Sequence, residues 1–127
     1  MAALGCKNGF SGFSTNRGIT ENCLTEKENS LLTVPSNSLD HLVGNENLLP
    51  PSLIKIDVEG AEYQVLTGGE EILKKFRPIV FLALHGTEQR QFCLPFLKKL
   101  GYAIFNLKGN IVKNGEIVDE IYALPDS

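Results

Sequence analysis

The chain is predicted to be an α/β protein, with helices layered on a mostly parallel sheet that an antiparallel last strand closes. Three observations carry this. Ile54, Ile56 and Val58 alternate with Lys55, Asp57 and Glu59, the period-2 pattern of a strand rich in β-branched residues. "IVFLALHG" after Pro78 is a continuous apolar run, of the kind that parallel strands show when helices cover both faces. From residue 53 onward such strands alternate with amphipathic stretches long enough to be crossover helices.

Taken in order, residues 1–30 are rich in Gly, Asn, Ser and Thr and weak in periodicity, which predicts turns and short extended pieces. The α/β part then occupies 31–127 of a single domain. A short extended run at 31–34 ends at Pro35, and Ser38 is placed to cap a helical turn through Leu42. After the strand at 54–59, Gly60 stops the ladder. Residues 61–67 form a helix, the Gly68-Gly69 pair breaks it, and 70–76 form a second. The apolar strand follows, then a helix from "TEQRQFCLPFLKK" that ends at Gly101 and contains Pro95. "YAIFNL" is the next strand, the Asn-Gly of "GNIVKNGEIV" signals a hairpin, and "EIYALPD" is the last strand.

Composition narrows the function. A chain of 127 residues with 43% hydrophobic and 21% charged side chains is ordinary for one soluble globular domain. A net charge of −3 without a Lys/Arg stripe argues against nucleic acid, which needs clustered cations on the phosphates. Lys74-Lys75 and Lys98-Lys99 fall at helix ends, where cations complement the helix dipole. Cys6, Cys23 and Cys93 are far apart and lack any C-x-x-C spacing, so they read as free, mostly buried thiols. No apolar run approaches the roughly 20 residues that span a bilayer, and no leader pattern opens the chain, so the expected location is cytoplasmic with no membrane partner.

Chemistry is expected beyond the carboxyl ends of the parallel strands, where loops diverge and the next helix begins. Asp57 and Glu59 stand at one such end, Glu62 in the first helical turn beyond, and His85 at the end of the neighbouring strand. Asp57, at a strand mouth flanked by Ile56 and Val58, reads as functional because a partly buried acid is costly, whereas Glu62 and His85 have plainer readings. Glu62 favours a helix start by charge alone, and a histidine closing a strand is often only bonded to a loop. At i and i+2 on a strand, Asp57 and Glu59 would share a face with Cα atoms about 6.5–7 Å apart, which permits acid/base hydrolysis of the glycosidase type. The (β/α)₈ barrel that usually carries it needs about 250 residues. No metal site is indicated, since calcium or magnesium would need further oxygen ligands.

These residues carry a family resemblance. "LIKIDVEGAEYQVLTGGEEILKKFRPIVFLALHG" resembles the central block of the FkbM family of S-adenosylmethionine-dependent methyltransferases. Its pattern is a Lys-x-acid-x-Glu-Gly-x-Glu strand end, a helix, a glycine break, a second helix and a Pro-led apolar strand ending near His. Lys55, Asp57, Glu59, Gly60, Glu62, Leu66, Gly68, Leu73, Pro78 and His85 stand at its positions. The likeness extends over about 31–126. It implies part of a Rossmann-like class I methyltransferase sheet, with "IKIDVEG" as fourth strand and "IVFLALHG" as fifth. It also implies S-adenosylmethionine as methyl donor and a hydroxyl of a sugar or other small molecule as acceptor. By the resemblance Asp57 lies near both, while Glu59, Glu62 and His85 line or brace the acceptor pocket.

Two features depart from the family. The acid usually found two residues before the strand-ending His is replaced by Ala83. The glycine-rich loop and the ribose-binding acid of the first two strands have no counterpart, because "GCKNGFSGF" follows no apolar strand and opens no helix. The chain therefore resembles the C-terminal part of the enzyme, truncated and inactive alone. The fourth strand, 54–58, would lack its usual neighbour and expose an edge to a second copy or a complementing N-terminal chain. A non-catalytic module joining a partner by that edge is the alternative function.

Overall fold

The computed structural model describes residues 3–14, 23–25 and 32–127. Two four-stranded sheets organise them. The first is built from β1 (Ala3–Leu4), β2 (Gly9–Ser14), β3 (Cys23–Thr25) and β4 (Leu32–Asn37) in the order β1-β4-β2-β3. The loop-rich start thus supplies short extended pieces, as expected, but they pair into a sheet. Strand β4 runs through Pro35, where the sequence predicts a stop. Its other neighbour, β1, joins only at Ser36 and Asn37, so on that side the missing proline N–H breaks no rung.

Helix α1 (Leu39–Asn45) follows, longer than the predicted turn, and Ser38 Oγ accepts from His41 N at 3.2 Å as its N-cap. The second sheet comprises β5 (Leu53–Ile56), β6 (Ile79–Ala83), β7 (Tyr102–Asn106) and β8 (Glu120–Pro125), ordered β5-β6-β8-β7. β5 and β6 are parallel, and β8 runs antiparallel between β6 and β7. Three strands therefore share one direction and the last opposes them, as the sequence predicts. Helices α2 (Glu62–Thr67), α3 (Glu70–Phe76) and α4 (Thr87–Lys99) lie in the connections.

Burial departs from expectation at β6. Val80 and Leu82 are sealed, but Phe81 between them is 39% exposed. Only one face of this sheet is covered among the described residues. Ile56, Val80, Leu82, Ile104, Ile121 and Ala123 form that covered face, packed with Val65 and Leu66 of α2, Leu73 of α3 and Cys93 and Leu97 of α4. On the other face Phe81, Tyr122 and Phe105 stack in a row, with centroids 5.9 and 5.3 Å apart.

The Asn-Gly segment forms no strand pair. Residues 107–119 are turns with one bridge, Phe105 to Ile111, and Gly115 takes a φ of 81°. The hairpin is instead β7–β8 across this long connection. Among the thiols, Cys93 is wholly buried and its pKa is pushed up to about 12 by that burial. Cys6 is exposed, against the expectation of buried thiols, because it lies in the bend between β1 and β2. The Cys23 side chain lies outside the described residues.

The two sheets are joined at the glycine break between α2 and α3. A Cβ on Gly68 would sit 2.1 Å from the Gly5 carbonyl oxygen, so only glycine admits this approach. Asp40 of α1 reinforces the joint by accepting from Ile72 N at 2.9 Å and Glu71 N at 3.1 Å, which satisfies free amides at the start of α3. Gly68→Ala is expected to destabilise the fold by about 1–3 kcal/mol in urea denaturation. Gly44→Ala, in α1 where a Cβ meets nothing within 4 Å, should be neutral or stabilise by up to about 1 kcal/mol.

Candidate functional site

The site forms where β5 and β6 end side by side. Because the two strands are parallel, their carboxyl ends lie at the same sheet edge. β5 stops at Ile56, three residues earlier than the alternation suggests. The chain then turns sharply, with φ of 52° at Glu59 and 102° at Gly60, before α2 begins. Asp57 and Glu59 are therefore not strand neighbours on one face, and the i, i+2 acid pair on a strand is corrected. The turn brings both acids toward the next strand end instead.

His85 is the hub. It follows β6 and precedes Gly86, whose φ of 92° leads into α4. Its Nδ1 lies 2.5 Å from Glu62 Oε1, and its Nε2 lies 3.4 Å from Glu59 Oε1 and 3.6 Å from Asp57 Oδ1. All four residues singled out in the sequence thus meet at one point. Glu62 is wholly buried, whereas His85 and Glu59 are about one-third exposed and Asp57 about half. The cluster has a sealed end and an open end.

Glu62 does more than begin a helix. Its Oε1 also accepts from Gly60 N at 3.1 Å, while Oε2 has no hydrogen-bond partner among the described residues. A buried carboxylate held this way fixes the turn before it and the imidazole beside it. Gln89 of α4 completes the frame, donating to Gly60 O at 2.8 Å and accepting from Tyr63 N at 3.0 Å. Nothing in its sequence position marks Gln89, since its role exists only once α4 packs against the turn. Ala83, where an acid was expected, pairs with Glu120 of β8. A carboxyl group thus stands beside the vacated position from another strand. Lys55, Asp57, Ala83 and Glu120 line a small cavity of about 90 Å³ at this edge.

The electrostatics follow from the contacts. The hydrogen bond to Glu62 raises the His85 pKa above its ordinary value; partial burial opposes this, and the charges of Glu59, Glu62 and Asp57 add to the rise.

Two comparisons bear on what this arrangement belongs to. The model of the methyltransferase FkbM domain matches residues 2–104. The chain belongs to that family. A crystal structure of methyltransferase FkbM from Methylobacillus flagellatus KT superposes with a TM-score of 0.58 at 14% identity, covering 95% of this chain and 26% of that one. The FkbM domain described here thus has the same fold and spans about a quarter of that structure's length. No curated protein matches the sequence. The parallel strands β5 and β6 lie side by side, as the resemblance implies for the fourth and fifth strands, and the last strand, β8, inserts between β6 and β7. Among the described residues no helix is long and apolar enough to cross a membrane.

With the folded pKa of His85 above its unfolded value of about 6.5, protonation stabilises the folded state. That contribution is full below about pH 6.5 and is lost as pH rises through the folded value. An NMR titration in chelating buffer should find the His85 ring titrating above 6.5 in the wild type and nearer to it in Glu62→Gln. Unchanged titration in that variant would refute the assigned cause.

Proposed function

We propose that this FkbM domain supplies the acceptor side of an O-methyltransferase site, with S-adenosylmethionine as donor and a hydroxyl of a sugar or other small molecule as acceptor. The observation that carries this is the convergence on His85 of Asp57, Glu59 and Glu62 from two adjacent strand ends. Membership of the FkbM family supports the reaction class.

The donor brings an electrophilic methyl group on a cationic sulfonium, and the acidic open end of the cluster suits that charge. Its nucleoside and amino-acid parts find less here. Gly5 and Gly9 follow β1 but lead into β2 rather than a helix, so they form no amide cradle of the usual kind. The described residues therefore fit the transfer end of the donor and the acceptor beyond it.

Methylation of a hydroxyl requires its proton to leave as the oxygen attacks. Asp57, the most open of the four groups, is assigned as proton acceptor. His85 and Glu59 orient the hydroxyl beside it, and Glu62 and Gln89 hold the imidazole and the turn in register. The test is transfer of isotopically labelled methyl from S-adenosylmethionine to a panel of sugar and small-molecule hydroxyls. Asp57→Asn is expected to lower kcat by about 10²–10⁴-fold with little change in donor KM. Full activity in that variant would refute the assignment.

A second reading is favoured by β5. Among the described residues it pairs only with β6, and Leu53 at its start is 51% exposed. A one-sided apolar strand is a template for pairing, which supports a module that joins a second copy or a complementing chain. On this reading sedimentation shows concentration-dependent association that a proline at Lys55 weakens. A folded monomer at all concentrations would count against it.

A further inference from the structure

We infer that Asp57, Glu59 and His85 form a binding site for a first-row divalent cation, with Glu62 as the buried carboxylate that orients the histidine toward it. The donor atoms of these three side chains lie within 4.8 Å of one another. His85 Nε2 is 3.4 Å from Glu59 Oε1 and 3.6 Å from Asp57 Oδ1. For metal–donor bonds of about 2.1 Å, adjacent ligand atoms stand roughly 3.0 Å apart at right angles and roughly 3.4 Å apart in a tetrahedron. These two separations are thus close to those of neighbouring ligands, and the open Asp57 side chain can swing to close the third.

An independent observation points the same way. Glu62 is wholly buried, its Oε2 lacks a hydrogen-bond partner among the described residues, and its carboxyl group is aimed at the imidazole of the cluster. With the Nδ1 proton donated to Glu62, a neutral His85 presents its Nε2 lone pair to two carboxylate oxygens. A cation bound there would take the place of the proton that the acids favour on Nε2, with three donor atoms turned toward it. The buried carboxylate, imidazole and metal in line are the usual means of fixing a ligating histidine and raising its basicity.

The donor set selects among ions. One imidazole nitrogen with two carboxylates suits manganese, iron or zinc, whereas calcium takes six to eight oxygens. Three protein ligands at a half-open mouth leave positions free, and a hydroxyl bound there would be polarised while the second Asp57 oxygen stays available for its proton. That use of the ion rests on the methyl-transfer reading, but binding itself does not.

The test needs no donor or acceptor. Manganese chloride is titrated into the metal-free chain and free ion is followed by electron paramagnetic resonance. One equivalent is expected to bind, with affinity reduced at least about 10-fold in Asp57→Asn and His85→Ala, and about 10–100-fold in Glu62→Gln. His41→Ala, on α1 away from the cluster, should bind as wild type. Manganese should also broaden the His85 ring signals in NMR before those of His41. Asp57 is half-exposed, so Asp57→Asn keeps the test interpretable should the buried Glu62 variant fail to fold. Absence of binding at millimolar ion, or equal binding by wild type and Asp57→Asn, would overturn the site. Either result leaves the methyl-transfer assay free to succeed or fail by itself.

Discussion

The contact between Glu62 and His85 is the constraint on which the site depends. A carboxylate with no solvent access must be paired or hydrogen-bonded. Here it takes the imidazole of one strand end and the Gly60 amide of the other. That double engagement ties the β5 turn to the end of β6. It also decides which nitrogen of His85 faces outward, so the open half of the cluster follows from the sealed half. Removing His85 leaves the buried Glu62 carboxyl short of a partner, a larger cost than the net worth of the bond.

Around this contact the backbone is arranged to bring side chains across. β5 ends early, and the left-handed conformations of Glu59 and Gly60 reverse the chain before α2. A non-glycine residue at positive φ is uncommon and is held by its surroundings. Gln89 supplies part of that hold, bonding both Gly60 O and Tyr63 N from the neighbouring helix. The helix that follows β6 thus secures the turn that follows β5.

Farther out, the apolar core and the joint between the sheets keep these parts in place. Arg77, in the left-handed region after α3, donates to the carbonyls of Leu100 and Gly101 and stacks over Tyr102 at 4.8 Å. It locks the ends of α3 and α4 together beneath the sheet. At the opposite end of α3, Asp40 and the Gly68–Gly5 approach bind the first sheet to the second.

The order of the elements from β5 to β8, the glycine break, the two helix-end lysine pairs and the four polar residues of the site were legible in the amino-acid sequence alone. These are local signals of period, punctuation and charge, and Lys55 to His85 carried them with little ambiguity. The residues alone left Glu62 and His85 open to plainer readings, because a side chain's partners depend on where other elements arrive. It took the packed fold to show that Asp57 and Glu59 leave the strand and meet His85, that Glu62 is its buried partner, and that Gln89 clamps the turn. That fold also decided that one face of β6 stays open and that Pro35 lies within a strand. In each case the deciding contact joins residues far apart in the chain, and no local pattern encodes which of the sterically allowed approaches packing selects.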